Sequence, residues 1–553
     1  MSMLFRCLLL SLLMAFAGAQ AEPEKAFTVD FGAPGAPGSF RARFATEGAG
    51  LVYLMAADHT FRVGSPDQLL VVLNGADHAL RLSLPPNQST FPENPAIARW
   101  VAVPGSDRVT FTLDGKAGLV LEKVLRHDSK QRGFVLEIVL RNTGSTATGS
   151  LDCELGGPML VVPKEAGLFL TATAGLVVPN EGEPQQVAPA AGTTARFAVD
   201  GNNLRFVGTS NRFFGAFLWP LDTTAKQALK ACELDTLPPF DDAPATGSGT
   251  LANTSLRARY SMSLPIPSAG GETRASFGLY FGPKSYRVFA TLPEPERFDA
   301  IQDVDLNSPC CFGVMVPGGR PMAKLLLWLL GMFFDFVGNW GLAIMMLTIL
   351  VRSLLAPVNF HMQKSMRKYG ARMAVLKPKM DAMKAKFGAD QAGYQQAMIA
   401  FQRENKLLPP IGGCLPIFLT MPIYLGLFTA LRTAYDVRQQ PFVGWITDLS
   451  RPDALFELGF WPDQFNLLPI IWIGLTAFMT LRTPLPTDPQ QRQQMQIMRY
   501  MPLMFGVMLY SYAAALLVYM VTSSIWSLVE STVTKRILGP IDPNVAAMTP
   551  PSM

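Results

Sequence analysis

Between Tyr500 and Val529 the chain runs for 30 residues without one charged side chain. A single straight helix of that length would measure about 45 Å, against a bilayer hydrocarbon core of about 30 Å. Arg499 stands at one end of the run, and Lys535-Arg536 follow the other. Basic residues are retained on the cytoplasmic side of a membrane, so both ends belong there. The run therefore reads as a hairpin of two short membrane helices, with its turn near Ser511 to Ala514. Such a chain is an integral membrane protein.

The apolar excess is uneven. Of 553 residues, 49% are hydrophobic and 16% charged, yet the long apolar runs all follow Met322. Residues 22–317 instead alternate polar and apolar side chains and predict an exported all-β sandwich. Leu119–Leu125 and Phe134–Leu140 are apolar, β-branched runs separated by the polar stretch Arg126–Gly133, the pattern of a hairpin. Phe213–Trp219 and Phe277–Gly282 predict further strands, whereas Pro179–Thr194 and Pro238–Thr250 read as loops. Helical periodicity is nearly absent there, which favours a sandwich.

Residues 1–21 resemble an export signal, with Arg6, an apolar stretch Leu8–Phe16 and the small-x-small site Ala19-Gln20-Ala21. An uncleaved anchor is the alternative. Either reading puts the following domain outside the cytoplasm. The chain has six cysteines, and none has zinc-like spacing. Cys153 and Cys232 are candidates for a disulfide in an exported domain, and Cys310-Cys311 are adjacent. His59, His78 and His127 lie apart, without HExxH or GxSxG neighbours, and read as packed or solvated side chains. Net charge is +5, too small for its length to suggest nucleic-acid binding. No phosphate-binding loop or catalytic triad is present, so no cofactor and no enzymatic activity are expected.

In the second half, Ala323–Val337 is apolar and aromatic but carries Lys324 and Asp335, as a helix lying along the interface would. Leu342–Val351 begins a span that meets Arg352. From His361 to Pro410 ten Lys and Arg oppose three Asp and Glu, so this loop is expected in the cytoplasm. Within it Met362, Met366, Tyr369, Met373, Leu376, Met380, Met383 and Phe387 recur at alternating intervals of four and three, a helical seam. Pro378 predicts a break with a new helix starting there; Gly388–Asp390 predicts a turn, and Gln391–Lys406 a returning helix. Cys414–Thr433 is the next span. Ala434–Asn466 has two basic and five acidic residues, as an external loop should, and Leu467–Leu481 returns inward.

Several segments carry a family resemblance. They are Phe336-Val337-Gly338-Asn339-Trp340-Gly341, Thr348-Ile349-Leu350-Val351-Arg352, Leu376–Met380, Gly412-Gly413-Cys414-Leu415-Pro416, Thr420-Met421-Pro422-Ile423 and Pro441–Ser450. In this order they resemble the YidC family of membrane protein insertases. Three features depart from that pattern. Ala513 and Ala515 replace a Pro and a Gly, Pro409-Pro410-Ile411 replaces an Asn-Pro, and the tail 540–553 is short and nearly uncharged, without the basic extension some members use at the ribosome.

The resemblance implies a membrane insertase domain at 318–539, of five helices with a cytoplasmic helical hairpin at 360–408. It implies a polar groove open to cytoplasm and lipid, faced by Arg352, with Thr348 one turn earlier on the same face. Tyr519 takes the place of a substrate-contacting aromatic. From the residues alone, Arg352 equally suits a headgroup-anchoring role. Lys384 and Lys386 are candidate docking residues for cytoplasmic partners. The implied partners are nascent membrane proteins and the lipid bilayer, with a Sec-type translocon and the ribosome as further candidates. Two other readings stay open: a solute transporter using Arg352, and a membrane-anchored carbohydrate-binding protein working through the sandwich.

Overall fold

The computed structural model describes residues 26–60, 63, 69–144, 149–159, 173–187, 193–237, 255–301, 319–388, 390–404, 423–431, 434–458, 464–482 and 489–539. Residues 1–21, Cys310-Cys311 and the Gly412–Pro416 motif lie outside them. The chain divides between residues 305 and 306 into two compact units.

The first unit is a large β-sandwich. A nine-stranded sheet runs from Gln185–Val187 through Thr173–Pro179, Leu204–Asn211, Phe214–Pro220, Glu272–Pro283, Gly133–Asn142, Leu119–Asp128 and Arg108–Asp114 to Val101–Pro104. A five-stranded sheet (Thr194–Ala198, Leu229–Leu237, Ser255–Pro265, Ser150–Met159, Leu82–Ser83) and a four-stranded one (Ala26–Phe31, Phe40–Ala45, Leu51–Thr60, Leu69–Ala79) accompany it. The hairpin expected between Leu119 and Leu140 is present, with Leu121 opposite Leu140 and Leu125 opposite Leu136. Leu119, Leu121, Lys123 and Leu125 alternate inward, and Val120, Glu122 and Val124 between them are half-buried, as the two-residue period of a strand requires.

Phe31, Phe40, Phe44, Phe111 and Phe134 fill one part of the core, joined by the His127 ring. His127 Nε2 lies 2.9 Å from the Gly38 carbonyl, so this histidine is a satisfied packing group. Lys123 is fully buried. Its ammonium donates to the carbonyls of Ala49 and Leu80 and lies over the Trp100 and Phe111 rings. Ala49 and Leu80 both sit at positive φ, 46° and 60°. Burial, helped by the charge of Arg81, pushes Lys123 down to about 7.

Two expectations for this unit need correction. Gln185–Val187, read as loop, is an edge strand paired with Gly175–Val177; three residues are too few for a strand pattern to show. Cys153 and Cys232 are free and buried. Cys153 lies opposite Met262 and Cys232 opposite Tyr260, so the strand Ser255–Pro265 separates them. Adjacent strands are about 4.8 Å apart, which puts the pair beyond disulfide reach.

The second unit is helical. Its elements follow the single-turn helices α1 (Thr223–Ala228) and α2 (Tyr286–Phe289) of the sandwich. They are α3 (Gly319–Val337), α4 (Trp340–Phe387), α5 (Gln391–Glu404), α6 (residues 423–431), α7 (Leu467–Leu481), α8 (Pro489–Met508) and α9 (Ala514–Leu538). Among the described residues, α4 up to Arg372 and α9 are long and apolar enough to cross a membrane. The uncharged run beginning at Tyr500 does break, between Met508 and Ala514. Pro378 does not break its helix: α4 continues from Trp340 to Phe387 through both Pro357 and Pro378. A proline removes one backbone hydrogen bond. Ala374, Leu376, Lys377, Lys379, Met380 and Ala382 around it are all strong helix formers, and they carry the helix across.

A polar column between two parallel helices

The segment Phe336–Gly341 is a corner. Gly338 ends α3 at φ 67°, a conformation that a side chain disfavours. Asn339 then caps α4, its Oδ1 accepting from the Leu342 amide at 3.0 Å. Its Nδ2 donates to the Phe442 carbonyl at 3.3 Å. Trp340 stacks on Phe334 with centroids 4.2 Å apart. The Phe442 ring lies so close over Gly341 that a Cβ there would fall 2.0 Å from Cδ2.

The second motif, Pro441–Ser450, closes the same end of the bundle. Asp448 Oδ1 accepts from the amides of Gln439 and Ser450 and from the Ser450 hydroxyl. Asp453 Oδ2 accepts from Trp445 Nε1 at 3.1 Å and from the first amides of α7, Leu467 at 2.8 Å and Leu468 at 3.0 Å. No side chain caps α9. Instead, the Ala514 and Ala515 amides donate to the carbonyls of Arg451 and Leu449 at 2.7 and 2.8 Å. The turn where Ala513 and Ala515 depart from the family pattern is thus held by the loop, and both Ala514 and Ala515 are fully buried. Below this cap Ala343, Ile344 and Leu347 of α4 pack with Leu427, Phe428 and Leu431 of α6 and Leu516 to Met520 of α9.

Next comes the polar column. Thr348 is 1% exposed, and its hydroxyl donates to the Ile344 carbonyl of its own helix at 2.7 Å. One turn on, Arg352 is half-buried and its Nη2 donates to Ser523 Oγ of α9. Tyr519 lies one turn before Ser523, buried, with its ring 6.0 Å from that of Tyr424. Farther along, Asn359 Nδ2 donates to Glu530 Oε2 at 3.5 Å, and Arg367 Nη2 to the Gly539 carbonyl at 2.9 Å. Packing changes along this column. Leu517 and Val518 are buried, whereas Ile525, Val529, Val533 and Ile537 are exposed apolar side chains.

Of the residues singled out from sequence, Arg352, Thr348 and Tyr519 therefore lie within about one turn of one another along α4 and α9. Lys386 lies apart, exposed near the far end of α4. Lys384 is in the same helix, its side chain outside the described residues. Ser523, Asn359 and Glu530 were not anticipated. Their signal is a common spacing: Arg352 to Asn359 and Ser523 to Glu530 are each seven residues, two turns on one helical face.

Residues 332–540 match the family described as 60Kd inner membrane protein. This region of the chain is similar to the YidC family. Curated relatives agree: a membrane protein insertase YidC of Neisseria meningitidis serogroup C (strain 053442) is 35% identical over 275 residues, 49% of this chain and 45% of that protein. The YidC of Laribacter hongkongensis (strain HLHK9) is 32% identical over 267 residues, 48% of this chain and 43% of that protein. The chain thus spans about half the length of the curated relatives it matches. The crystal structure of an active YidC insertase with its first transmembrane domain resolved covers 95% of this chain and 98% of its own, at 17% identity and a TM-score of 0.34. A score that low adds nothing to the assignment. The matched region, residues 332–540, contains the corner, the cap and the whole polar column.

Proposed function

We propose that this chain inserts membrane proteins into a bilayer, using the α4–α9 column as the wall of a hydrophilic groove. The observation that carries the reading is Arg352, a half-buried cation in an apolar helix, which donates to the Ser523 hydroxyl and, among the described residues, pairs with no carboxylate. A charged side chain inside a span costs from about 3 to over 10 kcal/mol, so it is retained where water or a client meets it. The capped end, around Asp448 and Asp453, faces outside; the basic stretch of α4 and α5 lies in the cytoplasm. Five helices then cross the membrane or line its interface, with residues 360–408 as a cytoplasmic hairpin and the β-sandwich outside.

In this mechanism water held by Arg352 lowers the cost of carrying a client's polar segment part way across. The client's apolar helix then leaves sideways into lipid. No bond is made or broken in the client, and moving its apolar helix from water into lipid supplies the driving free energy. A Met-rich unit, with 20 of the chain's 27 methionines after Pro321, offers adaptable apolar contacts. Lys384 and Lys386 suit docking of the ribosome or a Sec-type translocon. Purified protein in liposomes, given a small single-span client, tests the proposal: protease protection of the client's translocated tail is expected, and its absence with correctly folded protein overturns the reading.

A further inference from the structure

We infer that Glu530 is a specificity-determining residue that receives the Lys or Arg side chains flanking a client's apolar helix. The inference rests on the insertase reading above. Glu530 lies two turns, about 10 Å, beyond Ser523 along α9. It is half-buried, and its hydrogen bonding is incomplete. Oε2 takes a 3.5 Å bond from Asn359, while Oε1 is buried with no partner among the described residues. One turn earlier, Trp526 Nε1 is also buried without one. A buried carboxylate oxygen left unbonded is costly, and a cationic donor is what it lacks.

Two nearby cations bond elsewhere through at least one nitrogen. Arg352 is within electrostatic reach of Glu530, yet its guanidinium bonds to Ser523. Arg367 donates to the Gly539 carbonyl, and Lys535 and Arg536 are exposed at the end of α9. The column is therefore dipolar, cation toward the capped end and anion toward the basic end. A client whose translocated segment carries an acidic residue, followed by a basic residue that stays behind, matches it in sign and order. Glu530 would then hold the basic flank on the cytoplasmic side while Arg352 draws the acidic segment inward.

Two clients test this in proteoliposomes, identical except that one has a Lys-Lys flank after its apolar helix and the other Gln-Gln. The unaltered protein should insert the Lys-flanked client better, and Glu530→Gln should lower its insertion about fivefold or more relative to that of the Gln-flanked client. Glu530→Asp, which keeps the charge, should retain most of the preference. Independently, a carbodiimide applied to the unaltered protein with a stalled Lys-flanked client should couple Glu530 to a client lysine, read by mass spectrometry. Equal insertion of both clients by unaltered protein and Glu530→Gln, or no coupling at Glu530 during active insertion, overturns the inference and leaves the insertase reading standing. Failure of unaltered protein to insert either client overturns both.

Discussion

Arg352 of α4 and Ser523 of α9 hydrogen-bond across two helices that run parallel and in register. Their separation in sequence is 171 residues; the next pair, Asn359 and Glu530, keeps the same 171, and Arg367 and Gly539 follow at 172. A constant offset over about four turns requires both helices to descend together from the cap. The loop carbonyls of Leu449 and Arg451 fix the start of α9, and Asn339 fixes the start of α4. The cap therefore sets which residue meets Arg352.

Substitution at Arg352 separates a groove residue from a headgroup anchor. Arg352→Lys should keep most insertion activity, because a point charge still holds water, whereas Arg352→Ala should lose most activity on some clients. A cysteine at 352 should react with a water-soluble thiol reagent applied from the cytoplasmic side and crosslink to a stalled client. Full activity of Arg352→Ala on several clients, with no crosslink, would remove Arg352 from the mechanism.

Orientation is checked by labelling. Cysteines at 445 and 535 should label from opposite sides, position 445 from outside and position 535 from the cytoplasm. In the proposed orientation, the break between Met508 and Ala514 would return the chain to the side it came from. External labelling at 540 would mean a single crossing and would defeat the hairpin argument.

The basic hairpin can be tested apart from the bundle. Reversing charge at Lys384 and Lys386 should weaken ribosome or translocon binding and lower insertion several-fold, while detergent melting of the protein stays unchanged. Normal insertion by the doubly reversed protein would leave these residues with only a solvating role.

Asp453 joins three elements through one oxygen, accepting from Trp445 and the first two amides of α7. Asp453→Ala leaves those donors unsatisfied in a site that is 3% exposed. A loss of about 2–3 kcal/mol is expected, visible as a lower thermal midpoint in detergent. Asp453→Asn retains an acceptor and should lose less.

The sequence showed where apolar runs lay and what interrupted them, so the helices near Arg352, the hairpin at 119–140 and the break after Met508 were legible. Two kinds of feature were not. Pro378 read as a break because a local rule cannot weigh one lost hydrogen bond against helix formers on both sides. Glu530 was passed over because its meaning depends on Asn359 and Arg352, far away in sequence. The motif residues Gly338, Asn339 and Gly341 were recognisable as a pattern, but their reason, the close approach of Phe442, exists only in three dimensions.

Lys123 gives the sandwich a pH dependence of definite sign. Its ordinary value of 10.5 falls to about 7 in the folded chain, first through burial and then through Arg81. A neutral amine has two N–H bonds, matching the two carbonyls of Ala49 and Leu80 that face it. Between the two values the unfolded chain binds more protons than the folded one, so stability rises with pH. Below pH 7 both states are protonated and the destabilisation is full; it is lost as pH climbs toward 10.5. Raising pH from 7 to 9 should therefore stabilise the unit by up to about 2–3 kcal/mol. Urea unfolding of residues 22–301, followed by circular dichroism at each pH, measures this. Lys123→Met removes the titrating group and should flatten the profile. A wild-type profile that matches the Lys123→Met profile in slope would show that the buried amine stays charged, held by the Trp100 and Phe111 rings.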